Sequence, residues 1–165
     1  MVEGSSLSGS PTSALQHVRV IELGGMPASY AGMHLGGLGA DVIKVEPPGG
    51  DPARFLPPFA GDLEHIERSI PFLNANLNKR GIVLDLTDAS DAATFASLLV
   101  TTDLFVESTP PGHLAAMGFD DAWFWNANPD LVIVSISPFG QWGPYSSYRG
   151  NDAVAAAMSG IMTNQ

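Results

Sequence analysis

The sequence contains no cysteine and few basic residues. Its 165 residues include 7 Lys and Arg against 17 Asp and Glu, which gives a formal net charge of −10. Without cysteine there is no disulfide, no thiolate metal ligand and no cysteine nucleophile. Without a basic stripe the chain lacks the feature with which nucleic-acid binders displace counterions. We therefore exclude a disulfide scaffold and a nucleic-acid partner.

Long apolar runs are scarce as well, because no segment approaches the roughly 18 residues that a membrane-spanning helix needs. The first sixteen residues are rich in Ser and Gly and lack the apolar core of a signal peptide, which predicts a disordered tail over residues 1–16. The composition, with 45% apolar and 15% charged residues, is typical of a globular chain. The sequence thus predicts a soluble cytoplasmic protein with no membrane partner.

The motifs of common nucleotide sites and hydrolases are missing too. Gly36, Gly37 and Gly39 do not form G-x-G-x-x-G, and they precede a strand, whereas a dinucleotide fingerprint opens a helix. They are typical of a helix end followed by a tight turn. There is no Walker loop and no G-x-S-x-G nucleophile elbow. The histidines are scattered without the spacing of metal ligands, so no metal site is expected.

The stretch GGLGADVIKVEPPGGD at residues 36–51 shows the clearest local structure. A glycine cluster ends a helix of small residues, a β-branched run predicts a strand, and two prolines with two glycines predict a sharp turn. Similar units recur along the chain. One helix is predicted to begin after an Asp88 N-cap, and a short helix is predicted to end at Met117. The other predicted helices span residues 28–35, 121–126 and 153–158. The predicted strands are 18–23, 42–46, 82–86, 104–107 and 131–137.

Continuous apolar strands that alternate with helices are typical of a parallel sheet buried on both faces. The predicted fold class is therefore α/β, with a Rossmann-like, mostly parallel sheet flanked by helices. Between the second and third strands, residues 63–68 could form one or two helical turns. Residues 72–80 contain three asparagines in five positions, which favours a loop.

Two features allow both a structural and a functional interpretation. Lys79 and Arg80 form the only adjacent basic pair, which could be a solvated turn, an anchor for phosphate or carboxylate, or a structural ion pair. Because no Lys or Arg occurs between residues 81 and 148, an anionic ligand would depend on this pair, on Arg149 and on backbone N–H groups. Asp152 could cap the last helix or serve as an active-site carboxylate.

Six ordered blocks of the sequence resemble the family III CoA-transferases, whose fold is shared with 2-methylacyl-CoA racemases. The blocks are VRVIEL, GADVIKVEPPGGDPAR, NLNKRGIVLDL, LFVESTPPGHLAAMG, NPDLVIVSISPFGQWGPY and GNDAVAAAMSG. The resemblance implies that residues 17–165 are the N-terminal part, roughly two-fifths, of a longer enzyme. It also implies coenzyme A or acyl-CoA and a carboxylate acceptor as substrates, no permanently bound cofactor, and an interlocked homodimer in the full-length protein.

The resemblance further implies a reaction that moves CoA from an acyl-CoA thioester to a carboxylic acid. In the family an aspartate attacks the thioester to give a mixed anhydride, the released CoA thiolate forms an aspartyl-CoA thioester, and the acceptor acid completes the exchange. The family places this aspartate after the block GNDAVAAAMSG, in a segment beyond Gln165. No catalytic nucleophile is therefore expected in this chain, which alone should be inactive and, with an open sheet edge, poorly behaved.

The resemblance also assigns candidate CoA contacts by position, since several positions match places where family members touch the nucleotide. Two expected phosphate contacts are weakened, because the family can carry a basic residue at position 87 and just before Met117, where this chain has Thr87 and Ala116. The matching CoA-binding positions are Leu84, Thr87, Ser108, Thr109, Met117 and Arg149.

Two further positions concern the reaction itself. Asp152 matches an acidic position close to the substrate. Asn151 stands where racemases have a proton-transferring His and typical transferases have Tyr, and an amide cannot take up a proton near neutral pH. Asn151 thus argues against a racemase, which remains an alternative together with a non-catalytic CoA-binding or assembly fragment.

Overall fold

The computed structural model describes residues 13–164, which form a five-stranded sheet with helices packed on it. Three short 3₁₀ segments occupy Pro52–Phe55, Ala60–Asp62 and Ile161–Asn164. The strands are β1 (Arg19–Leu23), β2 (Asp41–Glu46), β3 (Lys79–Val83), β4 (Leu104–Glu107) and β5 (Val132–Ser135). The helices are α1 (Met26–Gly37), α2 (Ile70–Ala75), α3 (Ala89–Leu99), α4 (His113–Ala116), α5 (Asp121–Ala127) and α6 (Asp152–Met158).

The strand order is β3-β2-β1-β4-β5, and every pairing is parallel. The α/β fold class predicted from the sequence is therefore confirmed. The chain builds the sheet outward from β1 to β3 and then returns to place β4 on the other side of β1. This reversal between β1 and β4 is the topological switch point, where α/β sheets of this kind bind ligands at the carboxyl ends of their strands.

Alternate residues of β1 serve two separate cores, because successive strand side chains point to opposite faces. Ile21 packs with the aromatic cluster of α3, β4 and α5, in which the Phe95 and Phe105 rings lie 5.8 Å apart. Val20 packs on the opposite face with Val42 and α1. The sheet is thus covered on both faces at its centre.

Helix α1 lies close to the sheet because small residues face it. Ala28, Ser29, Gly32 and Gly36 are all buried, and a Cβ at Gly32 would overlap the Glu22 carboxylate. The predicted helix end at the glycine cluster is confirmed, since α1 stops at Gly37. Because Gly32 has no side chain, the Glu22 carboxylate fits between α1 and the sheet.

Two local predictions between β2 and β3 were wrong. Residues 63–68 form no helix, and the predicted asparagine loop contains α2. The start of α2 is set by Ser69, whose hydroxyl accepts a hydrogen bond from the Phe72 N–H at 3.3 Å, and by Pro71 in the first turn. Strand β3 begins at Lys79 rather than at residue 82, because pairing with β2 sets its register.

The predictions for the α6 cap and for the burial of β5 were also wrong. Asp152 does not cap α6, because the Asn151 side chain accepts the hydrogen bond from the Val154 N–H. Strand β5 is not buried on both faces: Val132 is 57% exposed, since β5 is an edge strand.

The predicted disordered tail lies largely outside the described residues, which begin at residue 13. Residues 13–16 belong to a turn, in which the Leu15 N–H donates to the Leu38 carbonyl oxygen at 3.0 Å. Between residues 13 and 164, none of the helices has the length and apolar character needed to cross a bilayer.

Candidate functional site

A cavity of about 410 Å³ opens at the carboxyl end of the sheet, at the switch point. The segments that follow four consecutive strands, β1 to β4, meet there. Gly24 and Gly25 come after β1, and Pro47, Pro48, Asp51 and Pro52 come after β2. The remaining wall consists of 84–87 after β3, 108–110 after β4, and His113, Leu114 and Met117 around α4. We call this space the switch-point cavity.

Five of the six candidate CoA contacts line this one cavity although they are spread over three segments of the sequence. The sixth, Arg149, is exposed and lines neither this cavity nor the larger one beside it. The five that line it are Leu84, Thr87, Ser108, Thr109 and Met117.

The start of α1 forms part of the wall and has no side-chain cap. The Ser108 hydroxyl lies 3.4 Å from both the Ala28 amide nitrogen and the Gly25 carbonyl oxygen, which ties β4 to this helix end. Gly24 has φ +106°, and a Cβ there would come within 2.8 Å of the Ser108 hydroxyl oxygen. Only glycine therefore lets the chain pass this close, and the uncapped helix end directs partial positive charge toward the cavity.

The hydroxyl groups of both candidate threonines are already engaged by acidic neighbours. The Thr87 hydroxyl donates to Asp85 at 2.6 Å, and this bond, with a second from the Thr87 N–H, lowers the pKa of Asp85 below its ordinary value. The Thr109 hydroxyl and N–H both donate to the Glu107 carboxylate at 2.6 Å. These contacts give the turns after β3 and β4 defined shapes.

Basic side chains are absent from the described wall of the cavity, which contains no Lys or Arg. Arg80 pairs with Asp41 at 2.6 Å, near the amino ends of β2 and β3. Lys79 pairs with Glu22 at 2.6 Å, and its side chain is only 2% exposed. Of the three interpretations of the Lys79–Arg80 pair, the structure therefore supports the ion pair.

A chain of four buried charges lies between α1 and the sheet, and sequence reasoning missed it. Lys44 bridges Glu22 at 2.9 Å and Asp51 at 2.7 Å, while Glu22 also binds Lys79. Each of these side chains is at most 2% exposed. A signal was available, because Glu22 and Lys44 each interrupt a β-branched apolar run and occupy register-matched positions of β1 and β2. We call these four residues the buried charge chain.

Burial shifts pKa values in the buried charge chain and in the neighbouring Glu46–Arg54 ion pair. The pKa of Lys79 is lowered, chiefly by desolvation and further by the neighbouring Lys44 charge, although the hydrogen bond and charge of Glu22 act to raise it. Burial also acts to raise the pKa of Glu46. The hydrogen bonds from Arg54 and from the Asp51 N–H, together with the charges of Arg54 and Lys44, outweigh it, so the pKa is lowered. The guanidinium of Arg54 meets both oxygens of Glu46, at 2.6 and 2.8 Å.

A second cavity, of about 760 Å³, lies beside the first on the β5 side of the sheet. The two share Thr109, Pro110 and Leu114. Its wall includes the carboxylates of Glu107, Asp120 and Asp121 as well as aromatic side chains such as Trp142. We call it the outer cavity.

The two residues matched to the reaction centre lie elsewhere. Asn151 and Asp152 are exposed at the start of α6 and line neither cavity. Within residues 13–164 no group of three His, Cys, Asp or Glu side chains is arranged to hold a metal ion.

Comparisons with known proteins agree with this architecture. The chain is 38% identical over 144 residues to the succinyl-CoA:(R)-benzylsuccinate CoA-transferase subunit BbsE of Thauera aromatica, an alignment that covers 87% of this chain and 35% of that protein. It is 40% identical over 151 residues to the human succinyl-CoA:glutarate CoA-transferase, covering 90% and 33%. A CAIB/BAIF family protein from Brucella suis superposes with a TM-score of 0.82 and 37% identity, covering 91% and 40%.

The chain therefore spans about a third of the length of the curated relatives that it matches. The model of CoA-transferase family III matches residues 15–165, nearly all of the sequence. On these grounds the chain belongs to CoA-transferase family III.

Proposed function

We propose that this chain supplies the acyl-CoA-binding part of a CoA-transferase, with the switch-point cavity as the CoA site. The observation that carries the proposal is the convergence of Leu84, Thr87, Ser108, Thr109 and Met117 on one cavity at the switch point. Two of the relatives named above are CoA-transferases whose names include succinyl-CoA, which supports an acyl-CoA substrate.

The chemistry of the cavity wall suits a CoA thioester whose phosphates are bound weakly. Leu84, Leu114 and Met117 offer apolar contacts, and the positive end of the α1 dipole lies beside the wall at Gly25. Few N–H groups are free there, because Pro27 has none and the Ala28 N–H is directed at the Ser108 hydroxyl. Because the described wall contains no Lys or Arg, we expect the phosphates to extend toward solvent or toward groups outside this chain. Arg149 is exposed and does not line the wall, so it would reach a phosphate only outside the cavity.

We further propose that the aspartate that forms the acyl and CoA intermediates comes from outside residues 1–165. The carboxylates of the cavity wall are already committed: Asp51 to Lys44 and the Ala53 N–H, and Asp85 to Thr87. Glu107, at the edge of the outer cavity, is bound by Thr109. Each of these carboxylates is held by neighbours in its own loop, which supports a nucleophile that is supplied from elsewhere.

The test is isothermal titration of coenzyme A into the 165-residue chain, with a matched pair of glycine substitutions. Gly25 lines the cavity and Gly37 does not, and a Cβ at either position meets no atom within 4 Å. We expect Gly25→Leu to fill the cavity and raise the Kd for CoA about tenfold or more, while Gly37→Leu leaves the Kd unchanged.

Activity gives the second half of the test. Incubation of the chain with succinyl-CoA and glutarate should give binding without CoA transfer, because we place the nucleophile outside residues 1–165. Absence of CoA binding by the wild-type chain would contradict the site, and transfer by the chain alone would contradict the placement of the aspartate. A homodimer, implied by the family, is proposed on that ground only.

A further inference from the structure

We propose that Lys44 is a positioning residue for the CoA site: its buried ammonium group joins the two loops that form one side of the switch-point cavity. The inference rests on the proposed function, since it concerns the shape of the same cavity. Lys44 itself does not line the cavity and cannot touch the ligand.

The contacts of Lys44 reach both loops. Its Nζ atom lies 2.7 Å from Asp51, in the loop after β2, and 3.4 Å from the Gly24 carbonyl oxygen, in the loop after β1. It also donates to the Ser29 hydroxyl at 2.8 Å, which fixes the first turns of α1. Gly24 and Asp51 both line the cavity, so one ammonium group sets the distance between two of its walls.

Asp51 transmits this contact to the rest of the loop after β2. Its second carboxylate oxygen accepts from the Ala53 N–H at 2.7 Å and starts the 3₁₀ segment Pro52–Phe55. Its own N–H donates to Glu46 at 2.9 Å. The loop is therefore tied by charge at Asp51. Loss of the ammonium would leave the buried Asp51 carboxylate without its cation, whereas Glu22 would keep its ion pair with Lys79.

Lys79 provides an internal comparison. It belongs to the same buried charge chain, pairs with the same Glu22 and is equally buried. Its other contacts are the Ser29 carbonyl oxygen and the Asn76 side chain, and it touches no residue of the cavity wall. A purely structural role for the chain of charges predicts the same consequence for both lysines, whereas a positioning role separates them.

The experiment compares Lys44→Met with Lys79→Met in the 165-residue chain, with urea unfolding for stability and isothermal titration for the Kd of coenzyme A. Both substitutions should lower the urea midpoint. We expect Lys44→Met to raise the Kd about tenfold or more and Lys79→Met to raise it less than about threefold. Lys44→Arg, which keeps the cation, should recover at least part of the lost affinity.

Asp51→Asn decides the question if Lys44→Met does not fold. An asparagine can still accept from the Ala53 N–H, but it loses the ion pair with Lys44. Removing a negative charge from the cavity wall should by itself favour an anionic ligand, so a raised Kd in this variant would support positioning. An unchanged or lowered Kd, or equal effects of the two lysine substitutions, would overturn the inference. Absence of binding by the wild-type chain would instead contradict the proposed function.

Discussion

At the scale of single residues, the unusual feature is charge in the middle of apolar strands. Glu22 and Lys44 would be costly to bury alone, and each is compensated by ionic partners and hydrogen bonds within the protein. Gly32 makes this possible because it leaves a space in α1 that the Glu22 carboxylate occupies. The burial of Glu22 therefore depends on Gly32 and on the close packing of α1 against the sheet.

Gly32→Ala should be strongly destabilising for this reason. The new methyl group would overlap the Glu22 carboxylate and come within 3.1 Å of the Lys79 ammonium, which disrupts a buried ion pair. We expect a loss of about 3 kcal/mol in the free energy of unfolding. Urea unfolding followed by circular dichroism measures it.

Gly37→Ala is the matched control, because it lies in the same helix and its Cβ would meet no atom within 4 Å. Its expected effect is a gain of up to about 1 kcal/mol from helix propensity. Equal stability of the two alanine variants would show that the Glu22 carboxylate relaxes without cost.

Glu46 should make the stability of the protein depend on pH in the acid range. Its pKa in the folded protein lies below the ordinary value of 4.5, so the unfolded chain binds more protons on acidification. The stabilisation is therefore present above pH 4.5 and is lost as the pH falls through the folded pKa. Glu46→Gln should lower stability at neutral pH and flatten this acid limb, measured by urea unfolding across that range.

The exposed Glu64 supplies the control for this prediction. Glu64→Gln should leave both the stability at neutral pH and its acid dependence close to those of the wild type. An acid limb that is as steep in Glu46→Gln as in the wild type would assign the dependence to other carboxylates.

At the scale of elements, the two edge strands differ in how they are protected. Strand β3 carries Arg80, whose side chain is 60% exposed, and a charge on an edge strand opposes pairing with another chain. Strand β5, with the sequence VIVS, has none, and both Val132 and Val134 are exposed. The loop after β5 adds Trp142, which is 85% exposed.

We therefore expect the chain to associate through β5 as its concentration rises. Val132→Lys should reduce this association, because it places a charge on the unprotected edge. Size-exclusion chromatography with light scattering over a concentration series gives the mass. Val83→Lys, on the exposed edge strand β3, is the matched control and should have a smaller effect. A monomer at every concentration, or equal effects of Val132→Lys and Val83→Lys, would contradict the prediction.

At the scale of the whole molecule, the order of strands places four loops around one space. Because β1 lies between β2 and β4, the loops after β1, β2 and β4 are neighbours although they are far apart in the sequence. Residues 84–87 complete the wall after β3. Family membership follows from the match over residues 15–165, while substrate, nucleophile and dimer remain proposals, since the chain covers about a third of its relatives.

Local sequence patterns were sufficient to predict the strands and helices in most of the chain. Apolar runs and caps are local signals, so Leu104–Glu107 and the Asp88 cap of α3 were predicted as they occur. The six-residue helix α2 was missed. Ser69 and Pro71 form its start, but the asparagines that follow favoured a loop in the prediction. The candidate CoA contacts were assigned by resemblance, and their roles remain predictions.

The pairing of the buried charges, by contrast, depends on the assembled fold. Glu22, Lys44, Asp51 and Lys79 come from four segments, and nothing in their spacing along the chain relates one to another. Parallel pairing sets Glu22 opposite Lys44, and the return of the loop after β2 adds Asp51. The free energy of a buried ion pair depends on the distance and burial of both partners, which arise when the sheet assembles. For that reason the periodicity of the sequence predicted the fold class, while the buried charges beside the proposed CoA site became visible only in three dimensions.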